Sequence, residues 1–177
     1  MIWATFHSRG EVLCAVIDAA DQRRDGVLPT DIDGVDEKFD SDLDLLGALQ
    51  LRWHTGLADR IEATLADQPM DLESAVVLAW QRACADMPGI RAVIDHHLQA
   101  PTSPAMSAAM TKAISKEHVM LAVMAGRGDF ADETCAQIGA VIEGRARSGE
   151  EIALVPAAPH SPRLGGLIDR LKAVIAA

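Results

Sequence analysis

The sequence predicts an all-α fold, a helical bundle of six to seven helices, and two observations carry that reading. Apolar residues recur three and four apart along most of the chain, which is the spacing of one helix face and not the alternation of a strand. Alanine is abundant, β-branched residues are scattered and aromatic residues make up only 3%, a composition that favours helix over sheet. At 177 residues, 49% apolar and 24% charged, the chain suits one ordered domain that can enclose a core without disulfides or a structural metal.

The first helix is expected from Ile2 to Arg24. Ile2, Phe6, Leu13, Val16, Ile17 and Ala20 share a face, with His7 and Glu11 together on its margin. The run QRRDGVLP then supplies basic residues, a Gly and a Pro in the order of a helix stop. Residues 25–40 form an Asp-rich connection. A calcium loop needs Gly at its sixth position and Glu at its twelfth. Counted from Asp31, Gly34 comes two places early, and counted from Asp40, Leu45 and Leu51 occupy those positions. Asp40, Asp42 and Asp44 read instead as carboxylates favouring a helix N-terminus, with Ser41 as its cap.

The second helix, residues 41–66, is the longest helical pattern in the chain. Leu43, Leu46, Leu49, Trp53, Leu57, Ile61 and Leu65 line one side, and Gln50 and His54 are set into that apolar arc. Gln68-Pro69 ends it. A third helix follows almost at once, with Asp71 as cap and Leu72, Ala75, Val76, Ala79, Trp80, Ala83 and Met87 as its buried stripe. The short link makes these two helices antiparallel neighbours. Pro88-Gly89 opens a short helix in which Ile90, Val93, Ile94, His97 and Leu98 face inward.

A fifth helix, Ala105 to Ala125, is capped by Ser103 with Pro104 at its first position. Glu117 falls near the middle of its stripe of Met106, Met110, Ala113, Met120, Leu121 and Met124. A sixth helix is expected from Asp129, with Phe130, Ile138, Val141 and Ile142 facing the core. The domain plan is a bundle over 1–147, a Pro-rich linker over 148–160 and an amphipathic helix over 161–177. In that last helix Leu164, Leu167, Ile168, Leu171, Val174 and Ile175 fill one face. Docking on its own bundle is the default, because an exposed stripe of that size is a liability. A second copy or a partner protein are the other occupants.

Charge and cysteine usage narrow the function classes. A net charge of −10, with no Lys/Arg cluster beyond Arg23-Arg24, disfavours nucleic acid and anionic membrane surfaces as partners. Cys14, Cys84 and Cys135 lie far apart and form no CxxC, which reads as reduced thiols in a cytoplasmic protein. No stretch is long and apolar enough to span a bilayer, and the first residues do not read as a signal peptide. Nucleophile-elbow, Walker and dinucleotide-binding patterns are absent.

What could carry chemistry is a set of polar groups on faces that should be buried: Gln50, His54, His97 and Glu117. An unpaired buried carboxylate or imidazole costs several kcal/mol or shifts its pKa, so each needs a partner. His54 with Glu117 is the natural pair. One reading is a hydrogen-bonded core network that fixes helix register; the other is a metal or acid–base site. A metal site would draw on His7, Glu11, His54, His97 and Glu117. The ferritin-like Glu-x-x-His unit does not occur. The segment His7-Ser8-Arg9-Gly10-Glu11 resembles a fragment of haemerythrin-like bundles over five residues. That resemblance would imply iron and oxidoreductase chemistry, but His54, His97 and His118 do not fall at the family's spacings. The expected function is a non-enzymatic helical module acting through contact with another protein or a second copy of itself, without cofactor. The alternative is a bundle binding a divalent metal, iron or a small ligand.

Overall fold

A computed structural model describes residues 8–67, 69–129 and 134–155. These residues form seven helices and no strand. They are α1 (Arg9–Arg23), α2 (Val35–Lys38), α3 (Asp42–Ala66), α4 (Leu72–Asp86), α5 (Pro88–Gln99), α6 (Pro104–Met124) and α7 (Cys135–Arg147). None of them is long and apolar enough to cross a membrane.

The helix starts follow local chemistry. The Ser41, Asp71 and Ser103 side chains accept from the backbone N–H groups of Asp44, Ser74 and Met106 at 3.2, 3.1 and 3.1 Å. Each such cap contributes about 1 kcal/mol by pairing an otherwise orphaned donor. Two starts differ from expectation. The first helix does not run through from Ile2, because Ser8 is extended (φ −135°, ψ 154°) and caps α1. Glu11 completes a capping box by accepting the Ser8 N–H at 2.9 Å, so the Ser-x-x-Glu signal outweighs the periodicity that suggested a longer helix. The last described helix begins at Cys135 rather than Asp129. Within the Asp-rich connection a single turn, α2, buries Val35 beside Phe39.

Two helical hairpins, α3–α4 and α6–α7, make the most extensive contacts, and α4 packs on α7 to join them. The short α5 touches α1, α3, α4 and α6, which puts it at the centre. Two glycines permit this packing. A Cβ on Gly139 of α7 would lie 1.8 Å from the His118 carbonyl oxygen of α6. A Cβ on Gly89 of α5 would lie 2.2 Å from the Ala20 carbonyl carbon of α1. Backbones approach so closely only where no side chain intervenes.

The core runs through Val12, Val16, Leu45, Leu49, Trp53, Leu57, Ile61, Val76, Trp80, Ile90, Ile94, Leu121 and Ile142. Leu72 and Val141, expected inside, are 42% and 65% exposed. Leu72 is the first residue of α4, at the rim. In α7 the buried arc is Cys135, Gly139, Ile142, Glu143 and Ala146. Val141 stands about 160° from Gly139 and Glu143 at 100° per residue, on the opposite side. Phe130 and the 161–177 helix lie outside the described residues. The described part of the linker is tied to the bundle: Met70 N–H donates to the Val155 carbonyl at 3.1 Å, and Gln81 Nε2 to the Glu150 carbonyl at 2.9 Å.

Candidate functional site

Glu117 lies at the middle of the bundle and is completely buried. The α6 stripe forces its side chain inward, between α3, α4 and α5. Its carboxylate is saturated by donors from all three. Trp53 Nε1 of α3 donates to Oε2 at 2.9 Å, and Trp80 Nε1 of α4 donates to Oε1 at 3.1 Å. Arg91 Nη1 of α5 reaches both oxygens at 3.2 and 3.4 Å. The two indoles meet edge to face with centroids 6.1 Å apart, and the Arg91 guanidinium lies 5.0 Å from the Trp53 ring centroid. A buried carboxylate is tolerable when its lone pairs are filled this completely.

Arg91 is itself nearly buried and continues the network outward. Its Nε and Nη2 bond Asp95 one turn along α5. Asp95 also accepts from Arg147 of α7 at 3.0 and 2.7 Å. Arg147 Nε donates to Glu143 at 2.8 Å, and His118 Nε2 donates to Glu143 at 2.6 Å. Three carboxylates thus face two guanidinium groups and one imidazole across α5, α6 and α7. Burial pushes the Asp95 and Glu143 carboxyls up, but donors outweigh it: Arg147 and Arg91 on Asp95, and His118 with both arginines on Glu143. Both end below their ordinary values.

Of the sequence candidates, the structure brings His54 towards Glu117, with Nε2 at 4.0 Å from Oε2. That is too long for a hydrogen bond, and Nε2 is enclosed without a partner. Burial, only partly offset by the Glu117 charge, lowers the His54 pKa below its ordinary 6.5. Gln50 is buried, but it is not among the groups bonded to Glu117, and its Oε1 has no hydrogen-bond partner. His97 is satisfied within its own helix, donating from Nδ1 to the Val93 carbonyl at 2.8 Å. Glu11 serves the α1 cap, and His7 lies outside the described residues. Among the described residues no group of three or more His, Cys, Asp or Glu side chains is placed to hold a metal ion. The described members of the expected metal set do not converge: Glu11 caps α1, His97 bonds within its own helix, and Glu117 is filled by indole and guanidinium donors.

The groups that sequence reasoning passed over are Arg91, Asp95, Glu143, Arg147 and the two indole N–H donors, and His118 was weighed only as a metal ligand. A signal existed. Arg91 lies 20° from Leu98 on the wheel, and Glu143 lies 40° from Gly139, beside the Gly139/Ile142/Ala146 arc. Each is followed four residues later by an opposite charge, as in a helical ion pair. Burial pushes the Cys84 thiol up to about 12, and Cys135 Sγ donates to the Asp129 carbonyl.

Two grooves flank Leu51, which is 69% exposed on α3. The larger, of about 640 Å³, runs between α1 and α3 and is floored by Leu13, Leu43, Gly47 and Ala48. One end is closed by Arg9, whose guanidinium holds Asp44 at 3.0 and 2.7 Å. The smaller, of about 410 Å³, runs between α3 and α6. Compared with known proteins, the chain matches no family model, no curated protein and no solved structure.

Proposed function

We propose that the chain is a non-enzymatic helical-bundle protein acting by protein–protein contact, and that its α1–α3 groove takes the apolar face of a helix from a second copy. The observation that carries this reading is Gly47. It sits inside α3, where glycine costs about 0.5–1 kcal/mol relative to alanine. At Gly139 and Gly89 a neighbouring backbone explains that cost. At Gly47, as at Gly144 of α7, nothing beyond its own stretch of helix lies within 4 Å of where a Cβ would be. A helix glycine facing open space beside an exposed leucine leaves room for an incoming backbone. The interior ion pairs are consistent with this reading, since the buried carboxylates are bonded to arginines of the same bundle. The 161–177 sequence supplies a matching occupant, with six aliphatic residues on one face.

The test is light scattering on the full chain over a concentration series, for the wild type, Gly47→Arg and Leu167→Glu. A concentration-dependent dimer is expected for the wild type. Each variant should be monomeric, and Gly47→Arg should keep the wild-type far-UV spectrum and, at dilutions where the wild type is also monomeric, melt no lower than the wild type. A wild type that stays monomeric throughout, or a dimer indifferent to Gly47→Arg, would overturn the proposal.

A further inference from the structure

The residues ahead of α1 bear on how the α1–α3 groove is used. Residues 1–7, MIWATFH, contain no Lys, Arg, Asp or Glu, and Ile2, Trp3 and Phe6 are large and apolar. A stretch of that kind left in water is a liability. It joins the bundle at Ser8, which caps α1 in an extended conformation. The next residues, Arg9 and Gly10, line the groove together with Leu13. The chain therefore enters the bundle at the groove's own rim. Across from that wall α3 presents Leu43, Gly47, Ala48 and Leu51, and the lining continues to Thr55. From Leu43 to Thr55 is about 18 Å of helix at 1.5 Å per residue. Seven residues reach up to about 23 Å when extended. The stretch is long enough to cover the floor from the end at which it is attached.

Attachment at the rim also gives the stretch an advantage over any free partner. Its effective concentration at the groove is on the order of millimolar, as for a short flexible linker. A helix over 161–177 would be about 25 Å long, longer than the groove, so it needs the whole floor and cannot share it. We propose that in the monomer residues 1–7 cover the α1–α3 groove, with Trp3 and Phe6 against Leu13, Leu43 and Leu51, and that a second copy must displace them to bind. The first half concerns the single chain, and the second rests on the reading of this groove as the dimer surface. The contact is autoinhibitory: it raises the concentration at which the dimer forms.

Acrylamide quenching of tryptophan emission, on the full chain at dilutions where it is monomeric, tests the first half. Trp53 and Trp80 are 0% and 4% exposed, so a change in quenching reports on Trp3. Leu51→Glu places a charge on a groove residue that is 69% exposed. It should raise the Stern–Volmer constant at least twofold and leave the far-UV spectrum unchanged. In a Trp3→Phe chain the same substitution should change nothing. A constant indifferent to Leu51→Glu, or a difference that persists in Trp3→Phe, would overturn the proposal. Light scattering over a concentration series tests the second half. Trp3→Ser with Phe6→Ser should dimerise at a concentration at least tenfold below that of the wild type, and a dimer unchanged or weakened by that pair would overturn the displacement. If neither chain dimerises at any concentration, the dimer reading fails and the displacement with it. The quenching result still decides whether residues 1–7 occupy the groove, so the two failures are distinguishable.

Discussion

Replacing Glu117 by Gln removes the charge at the centre of the bundle while keeping the side-chain shape. Three donors converge on the carboxylate, Trp53 at 2.9 Å, Trp80 at 3.1 Å and Arg91 at 3.2 and 3.4 Å. An amide has one acceptor oxygen, and its NH2 must face an indole N–H and the guanidinium whichever way it turns. One buried donor is therefore orphaned, at about 1–3 kcal/mol. Breaking a buried ion pair by removing one partner costs about 3–5 kcal/mol, a figure that already contains such orphaning. Asp95 stays on Arg91 through Nε and Nη2, so the low end applies, about 3 kcal/mol. For a chain of this length that lowers the melting temperature by about 6–12 °C. Urea unfolding followed by tryptophan emission measures it, with Trp53 and Trp80 reporting from the site itself. Arg91→Met closes a double-mutant cycle, and its coupling to Glu117→Gln should be about 1–3 kcal/mol. A loss below about 1 kcal/mol, as for an exposed pair, or a coupling near zero would refute the saturated-carboxylate account.

Two glycine substitutions should move in opposite directions. Gly139→Ala drives a Cβ into the His118 carbonyl and should cost about 3 kcal/mol by overpacking, whereas Gly47→Ala should gain about 0.5–1 kcal/mol at dilutions where the chain is monomeric; denaturant midpoints decide both. Acid should unfold the bundle through its inner carboxylates. Asp95 and Glu143 have folded-state pKa values below their ordinary ones, so they bind fewer protons than in the unfolded chain. Their stabilisation is complete above the unfolded carboxylate range and is lost as the pH falls through their folded values. His54, also lowered, adds a loss of the same sign that begins as the pH drops below 6.5. Thermal melts from pH 8 to pH 3 should fall monotonically across that window, and a melting temperature that rises between pH 6.5 and pH 5 would contradict the assignment.

Helix identity was legible in the sequence wherever a strong local rule applied. The Ser41, Asp71 and Ser103 caps and the long α3 follow from short-range hydrogen bonding and 3.6-residue periodicity, which need no tertiary information. The same local rules, weighed correctly, would have started α1 at Ser8, since Ser8 and Glu11 spell a capping box. The buried position of Glu117 was also readable, because its place in the α6 stripe is set by sequence spacing alone.

Which groups answer Glu117 was decided by the tertiary structure. His54 looked like the partner because imidazole and carboxylate are complementary, but the approach of α3, α4 and α5 delivers two indoles and a guanidinium instead and leaves His54 at 4.0 Å. Periodicity says which face of a helix points inward. It says nothing of which neighbouring helix that face meets, or at what height along the axis. Those depend on backbone approaches such as Gly139 against His118, set by packing between residues distant in the chain. The sequence alone determined an all-helical bundle with a buried carboxylate at its centre. Only the tertiary structure decided that this carboxylate is saturated by its own bundle, and that Gln50 Oε1 and His54 Nε2 on α3 are enclosed without a hydrogen bond.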